Sequence, residues 1–187
     1  DLIHPRVSGN KFRKLKYIFQ EIKEKEVSAL LTFGGAFSNH LVATAYAGKS
    51  IGVHTIGIVR GDEWGRKIHE SATLNYCVSQ GMELHCISRD IYAQKEQAPI
   101  VTKLMKKIPG LRIIPEGGTE PLAVKGCLEI LQSEDLNFDV ICSSVGTGGT
   151  IAGLVNSSND NQNLIGFNAL NNTEIVHTIE ELTNKKN

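Results

Sequence analysis

The sequence has no net charge, because its 20 basic residues balance 20 acidic ones. It therefore has no overall field that would attract nucleic acid or an anionic membrane, and any charged site must be local. It also lacks a long hydrophobic run: apolar stretches such as residues 56–59 are far shorter than the roughly 20 residues that span a bilayer. No basic and apolar leader precedes them. We expect a soluble, cytoplasmic chain that binds neither nucleic acid nor membrane.

Cysteine is scarce and scattered along the chain. Cys77, Cys86, Cys127 and Cys142 form no Cys-x-x-Cys pair, and no histidine lies at zinc-ligand spacing from them. We therefore predict four buried free thiols in strands and helices, with no disulfide and no metal site.

The two common nucleotide-binding motifs are also missing. A dinucleotide-binding turn needs Gly-x-Gly-x-x-Gly and an acidic residue about 20 positions later, but Ile151 replaces the third glycine and residues 167–168 carry no acid. Residues 48–50, Gly-Lys-Ser, resemble the end of a P-loop, yet Ala43 replaces its first glycine and the tripeptide ends a predicted helix. These absences argue against NAD and ATP as ligands.

What the sequence does contain is an alternation of short, β-branched runs with longer runs of helical period. We predict strands at residues 29–33, 53–59, 83–87, 111–114, 138–143 and 163–167, and helices at 11–25, 39–47, 65–79, 93–107, 121–133, 150–156 and 174–186. This order predicts right-handed crossovers and parallel sheets that are covered on both faces.

We predict two parallel-sheet α/β domains with a ligand cleft between them. The smaller domain would comprise residues 24–111, and the larger one residues 1–23 together with 112–187. The sequence begins without an initiator methionine and ends in a predicted helix with no strand after it. We therefore expect a truncated chain.

Glycine is abundant, and seven of the 18 glycines lie in three turns that follow predicted strands, at residues 34–40, 116–119 and 144–150. The third turn, Ser-Val-Gly-Thr-Gly-Gly-Thr, is the strongest candidate for a phosphate-binding site. Its backbone N–H groups and the hydroxyls of Thr147 and Thr150 would surround an anion at a helix N-terminus. A tight strand-to-helix turn is the alternative reason for the same glycines.

Residues 11–16, Lys-Phe-Arg-Lys-Leu-Lys, place four basic side chains in the first turns of a predicted helix, where the helix dipole disfavours cations. A solvated basic face is the usual explanation for such a run. A lysine beside a phosphate-binding turn offers another, because desolvation and nearby cations lower its pKa and make it a nucleophile able to form a Schiff base.

Four segments taken together resemble one family of enzymes. They are residues 8–17 (SGNKFRKLKY), 34–40 (GGAFSNH), 116–119 (EGGT) and 144–153 (SVGTGGTIAG), and their order and spacing are similar to those of the 1-aminocyclopropane-1-carboxylate deaminase and D-cysteine desulfhydrase family. The resemblance extends from Asp1 to about Leu170. It implies a pyridoxal-phosphate enzyme of the tryptophan synthase β-like fold, fold type II, that acts on a small amino acid and forms a homodimer.

The resemblance also implies roles for individual residues. Lys11 would form the Schiff base with pyridoxal phosphate and later move the substrate proton, and Lys14 would lie near the cofactor phosphate. Ser38 would act beside the substrate as nucleophile or proton relay, and Asn39 would lie close to the cofactor. The substrate carboxylate would bind at Ser38, Asn39 and His40. The remaining cofactor-binding residues would be Gly146, Thr147, Gly148, Gly149 and Thr150.

Departures from the family pattern bear on the substrate. Deaminases of the family typically have Gly-Gly-Ile-Gln-Ser-Asn-Gln-Thr where residues 34–41 read GGAFSNHL. His40 favours D-cysteine desulfhydrase activity, which yields pyruvate, hydrogen sulfide and ammonia, whereas Phe37 and Leu41 match neither group well.

Four alternatives stay open. One is deamination of 1-aminocyclopropane-1-carboxylate to 2-oxobutanoate and ammonia. Two others are a serine or threonine dehydratase and a racemase of the same fold, and the last is a non-catalytic phosphate-binding domain. The family's partner for the pyridine nitrogen and its active-site tyrosine would lie beyond Asn187, the last residue of this sequence.

Overall fold

The computed structural model describes residues 3, 4, 7, 9–170 and 173–184. Its strands are β1 (Ala29–Gly35), β2 (His54–Arg60), β3 (Glu83–Ile87), β4 (Leu111–Ile114), β5 (Val140–Val145) and β6 (Asn163–Asn168). Its α-helices are α1 (Asn10–Glu24), α2 (Asn39–Ser50), α3 (Ala72–Ser79), α4 (Arg89–Ala93), α5 (Pro99–Lys107), α6 (Pro121–Cys127), α7 (Gly149–Ser157) and α8 (Ile175–Leu182). Over these described stretches, no helix has the length and hydropathy needed to cross a membrane.

The first sheet has four parallel strands in the order β3-β2-β1-β4. Its central strand β1 is buried along almost its whole length, because α2 packs near one face and α5 contributes to the core on the other. A strand covered on both faces must be apolar throughout, which the run Ala-Leu-Leu-Thr-Phe satisfies. The predicted parallel α/β fold is confirmed.

The second sheet consists of β5 and β6, paired in parallel. Val145 at the end of β5 packs on Ile151 and Ile175, but Val140, Ile165 and Phe167 are exposed. The prediction that every strand is covered on both faces is therefore wrong for this sheet in the described part of the chain. For the same reason Cys142 on β5 is exposed, whereas Cys77 and Cys127 are buried as predicted and Cys86 is half-buried.

Strand β4 pairs with β1, so residues as far as Ile114 belong to the first sheet. The proposed boundary between the two domains, at residues 111–112, falls inside this strand, and the division into two domains remains a prediction.

Three predicted helices are shorter than their periodic pattern suggests. Residues 62–70 form two 3₁₀ turns, and α3 begins only after Ser71, whose hydroxyl accepts a hydrogen bond from the Leu74 N–H at 3.2 Å. The predicted helix at 93–107 is divided, since α5 starts afresh with Pro99 at its first position. Helix α6 ends at Cys127 instead of residue 133, and the end of the predicted helix at 174–186 lies partly outside the described residues.

Glycines let α1, α6 and α7 pack at very short distance. A Cβ at Gly126 of α6 would clash with the backbone oxygen of Arg13 in α1, and one at Gly153 of α7 would clash with Cys127. These contacts fix α1, the helix that carries Lys11 and Lys14, against the helix that follows the third glycine turn.

We expect Gly126→Ala to destabilise the fold by about 1–3 kcal/mol, because the added methyl group forces α1 away from α6. Urea unfolding of the purified protein measures the effect. Gly65→Ala is the matched control, since its Cβ would meet only the Cys86 Cβ at an ordinary 3.8 Å. Equal stability of the two variants would contradict the proposed close packing.

Candidate functional site

Three glycine turns, which follow β1, β4 and β5, face a single cleft of about 700 Å³. Ligands bind at this edge of parallel sheets because backbone N–H groups and helix N-termini converge there. The cleft is lined by Ser38 and Asn39 from the first turn, Glu116 and Gly117 from the second, Gly146, Thr147 and Gly148 from the third, and Lys11 and Lys14 from α1. The structure thus brings the sequence-predicted turns together with the two predicted lysines.

The third turn has the geometry expected of an anion-binding loop. Gly148 adopts a left-handed conformation with φ 80°, and α7 begins at the next residue without a side-chain cap. A Cβ at Gly146 would meet nothing within 4 Å, so the space above the turn is open. The N-terminus of α7 therefore has uncapped N–H groups available to an anion.

Thr150, in the first turn of α7, accepts a hydrogen bond from the Asn10 side-chain amide at 3.0 Å. Asn10 immediately precedes Lys11, so this contact places the start of α1 beside the anion-binding turn. Asn10 was absent from the predicted site residues, although its position in the Gly-Asn-Lys segment could have revealed it.

Lys14 lies beneath the cleft with only 2% of its surface exposed. Its ammonium group donates hydrogen bonds to the Gly117 backbone oxygen at 3.0 Å, to Thr119 Oγ1 at 3.0 Å and to Thr147 Oγ1 at 3.3 Å. Burial and, secondarily, the charge of Lys11 lower the pKa of Lys14 to about 8. A Cβ at Gly149 would lie 3.1 Å from Nζ, so this glycine gives the amine its room beside α7.

Lys11 is half-buried and reaches the cleft from the first turn of α1. Burial lowers its pKa, which increases the fraction of uncharged, nucleophilic amine. Among the described residues, no carboxylate pairs with either Lys11 or Lys14. The cleft therefore presents two amines and several neutral donors, and neither amine is paired with a carboxylate of the described residues.

Ser38 is the N-cap of α2, and its hydroxyl accepts a hydrogen bond from the Leu41 N–H at 3.3 Å. A Cβ at Gly34 would lie 2.6 Å from that hydroxyl, so glycine is needed to leave Ser38 in place. Asn39 follows as the first helical residue and is exposed at the cleft. Both residues lie where the sequence predicted ligand contacts.

His40 lines the cleft but is only 2% exposed, so its ring is packed into the wall instead of projecting into solvent. Thr32 Oγ1 is 2.8 Å from both His40 Nε2 and the Ile114 backbone oxygen. Because the Thr32 hydroxyl has one proton and a carbonyl can only accept, both contacts are satisfied when Nε2 carries a proton and donates to Thr32. His40 Nδ1 is then an acceptor, and it is buried without a hydrogen-bond partner in the described part of the chain. Burial and the charges of Lys11 and Lys14 lower the His40 pKa to about 3, so the ring is neutral.

The second turn depends on two consecutive left-handed residues, Gly117 and Gly118, with φ 69° and 68°. A side chain on Gly117 would meet Thr147, and one on Gly118 would lie 3.0 Å from the His40 ring. The hydroxyls of Thr119 and Thr147 also lie 2.6 Å apart. Thr119 therefore belongs to the site, and its place in the quoted Glu-Gly-Gly-Thr segment was the signal for it.

Glu116 faces the cleft, but its carboxylate is already engaged. It accepts hydrogen bonds from the Tyr92 hydroxyl and from Lys95 Nζ, each at 2.6 Å. Lys95 is a non-glycine residue with a positive φ of 50°, and its ammonium also lies 3.7 Å from the centre of the Tyr92 ring. Nothing local in the sequence predicts this network, because its members come from separate elements.

Comparison with known proteins decides which family this arrangement belongs to. Residues 1–185 match the family model described as pyridoxal-phosphate dependent enzyme. The chain belongs to this family. Membership in the pyridoxal-phosphate dependent enzymes confirms both the family predicted from the four motifs and the cofactor class.

Two relatives of the chain carry the names of the deaminase and desulfhydrase family that the four motifs resemble. A Thermotoga maritima protein provisionally named 1-aminocyclopropane-1-carboxylate deaminase is 36% identical over 154 residues, which cover 79% of this chain and 48% of the relative. The bifunctional D-cysteine desulfhydrase/1-aminocyclopropane-1-carboxylate deaminase of Arabidopsis thaliana, a mitochondrial protein, is 30% identical over 169 residues, covering 82% of this chain and 42% of the relative.

Among solved structures, an ACC deaminase homologue superposes with a TM-score of 0.78 and 25% identity, covering 94% of this chain and 55% of the other. The chain therefore spans about half the length of the relatives it matches.

Proposed function

We propose that the protein to which this chain belongs is a deaminating enzyme that uses pyridoxal phosphate to convert D-cysteine to pyruvate, hydrogen sulfide and ammonia. One observation carries the proposal. Two amines of lowered pKa, Lys11 and Lys14, lie in a cleft that has an open anion-binding turn and no carboxylate paired with either amine. Such a donor set suits a ligand that combines a phosphate with a carbonyl group.

The residues fit the cofactor in two respects. Gly146, Gly148 and Gly149 form the phosphate-binding turn, with Thr147 and Thr150 as hydroxyl donors and Lys14 as the nearby cation. Lys11 supplies the amine for the carbonyl group. When it is bound, pyridoxal phosphate supplies an electron-withdrawing ring that accepts the electron pair released from the substrate.

The chain's own residues then divide the remaining work. Lys11 would be the base that removes the substrate proton, since its lowered pKa leaves a larger fraction uncharged. Ser38 and Asn39 lie at the N-terminus of α2, where the helix dipole favours a substrate carboxylate. His40 joins α2 to β1 through its hydrogen bond with Thr32. Direct contact of His40 with substrate remains a prediction.

The choice of D-cysteine rests on the segment after β1 and on the Arabidopsis relative. His40 departs from the glutamine that is typical of the cyclopropane-specific deaminases, and the Arabidopsis protein carries D-cysteine desulfhydrase in its name. Phe37 is 71% exposed and packs edge-on against Trp64, so it is a wall residue and not part of the core. Deamination of 1-aminocyclopropane-1-carboxylate is the second candidate, favoured by the name of the Thermotoga relative.

We expect the full-length protein, purified with pyridoxal phosphate, to release equal amounts of pyruvate and sulfide from D-cysteine. Parallel assays with 1-aminocyclopropane-1-carboxylate, D-serine and L-threonine, scored by 2-oxo acid formation, separate the alternatives. A 2-oxo acid from the cyclopropane substrate alone would select the deaminase, and turnover of the hydroxy amino acids alone would select a dehydratase.

Other results of the same assay have equally definite meanings. A change of chirality without 2-oxo acid would select a racemase. Binding of pyridoxal phosphate with no turnover of any of these amino acids would contradict the enzymatic proposal and favour a binding domain. A homodimer and a cytoplasmic location remain predictions that sedimentation and cell fractionation test.

A further inference from the structure

A second cavity of about 1290 Å³ lies beside the cofactor cleft. Its walls include Phe37, Trp64 and Tyr92, and it shares two lining residues, Ser38 and Arg60, with the cofactor cleft. These two residues therefore lie at the boundary between the two spaces.

Arg60 is the last residue of β2 and lies opposite Gly35, the last residue of β1. One guanidinium nitrogen of Arg60 would lie at an ordinary contact distance of 3.7 Å from a Cβ at Gly35, which places the guanidinium beside the turn that leads to Ser38. This is the carboxyl edge of the sheet, the same edge that carries the three glycine turns.

The charge balance around the second cavity singles out Arg60. Of its other two cations, Arg89 pairs with Glu63 at 2.5 Å and Lys95 pairs with Glu116 at 2.6 Å. Within the described residues Arg60 has no carboxylate partner, and its guanidinium carbon lies 5.9 Å from the centre of the Tyr92 ring. An exposed guanidinium without a carboxylate partner among the described residues, close to a helix N-terminus, is suited to a carboxylate because its planar donors match both oxygens.

We infer that Arg60 binds the α-carboxylate of the amino-acid ligand, together with the N-terminus of α2 at Ser38. This inference rests on the proposed function, in which the amino group of that ligand is directed to Lys11. It makes Arg60 a determinant of amino-acid affinity, and it leaves the second cavity as the space for the ligand's side chain. The residues proposed to hold the cofactor phosphate, the third turn and Lys14, do not include Arg60.

Two small alkoxyamines test the inference on the full-length protein loaded with pyridoxal phosphate. Aminooxyacetate and O-methylhydroxylamine both react with the cofactor carbonyl and change its absorbance, but only the first has a carboxylate. We expect Arg60→Gln to weaken the binding of aminooxyacetate by about 10- to 100-fold, which is the effect of losing a hydrogen bond to a charged group. We expect the affinity for O-methylhydroxylamine to be unchanged in this variant. The affinity of Arg60→Lys for aminooxyacetate should lie between those of wild type and Arg60→Gln. Arg89→Gln, at the wall of the same cavity but paired with Glu63, should affect neither probe.

Each remaining outcome has a definite meaning. An equal loss with both probes, or no loss with aminooxyacetate in either Arg60 variant, would overturn the role of Arg60 while leaving the cofactor site intact. A wild-type protein whose absorbance neither probe changes would overturn the proposed function, and the inference with it. The cofactor absorbance before addition of probe distinguishes these cases, because it should be equal in wild type and in all three variants.

Discussion

Replacement of Lys11 by alanine should abolish covalent attachment of pyridoxal phosphate to the chain and lower the turnover of D-cysteine by about 10³-fold or more. The reason is that Lys11 has two tasks, since the same amine reacts with the cofactor carbonyl and afterwards removes the substrate proton. Its lowered pKa and its place in the lining of the cleft, next to the Asn10–Thr150 contact, suit it for both.

Borohydride reduction followed by peptide mapping measures the attachment directly, and in the wild-type protein the label should be found on Lys11. Lys11→Arg is the conservative control, because it keeps the positive charge but cannot form the covalent bond at the carbonyl. A small primary amine added to Lys11→Ala should restore part of the proton-transfer rate. If the cofactor absorbance of Lys11→Ala equals that of wild type without added amine, or the label lies on another lysine, Lys11 does not have this role.

Replacement of Lys14 by methionine should weaken the binding of pyridoxal phosphate by about 30- to 1000-fold, as expected from loss of a buried charged partner worth roughly 2–4 kcal/mol. Methionine fits the site because Thr119 and Thr147, which lose the Lys14 donor, keep their hydrogen bond to one another. The Gly117 oxygen also loses its Lys14 donor. Fluorescence titration of the cofactor-free protein measures the affinity. Lys23→Met is the matched control, since Lys23 is an exposed residue near the other end of α1. Equal affinities in the two variants would contradict the assignment of Lys14 to the phosphate.

The same substitution should change how stability depends on pH. The Lys14 pKa falls from 10.5 to about 8 on folding, so between these values the unfolded chain binds more protons than the folded one. The free-energy cost of burying the charged amine therefore applies in full below about pH 8, and it is relieved as the pH rises toward 10.5. From this group alone, the free energy of unfolding of the cofactor-free protein should increase by about 2–4 kcal/mol across that window.

Denaturant unfolding of wild type and Lys14→Met at several pH values isolates this contribution, because the other titrating groups largely cancel in the difference between the two proteins. The difference should grow in favour of wild type from pH 8 to 10.5. A difference that does not vary with pH would mean that the buried amine of Lys14 has an ordinary pKa.

Much of the fold follows from local sequence, and the reason is that its signals span only a few residues. Short β-branched runs and period-3.6 patterns, together with glycine turns, place all six strands within about two residues of their predicted bounds, and they predict the parallel order of strands and helices correctly. The patterns fail where a local cap competes with them, as at Ser71, which delays the start of α3, and at Pro99, which begins a separate helix. They also fail for β5 and β6, since a strand's sequence does not record whether another layer covers it.

The site shows the same division. The four motifs indicate a pyridoxal-phosphate enzyme, and point to Lys11 and Ser38, through the family that they resemble. The anion-binding turn at residues 146–150 can also be recognised locally, because it is a property of a short segment. Only the tertiary structure joins Lys14 to Gly117 and Thr147, which are 103 and 133 positions away along the chain. It also buries the His40 ring in the wall of the cleft, and it leaves Arg60 without a carboxylate partner among the described residues. A side chain's pKa and its unsatisfied charge depend on atoms brought near it by folding, so sequence determined which groups the site contains, and packing decided what each of them can do.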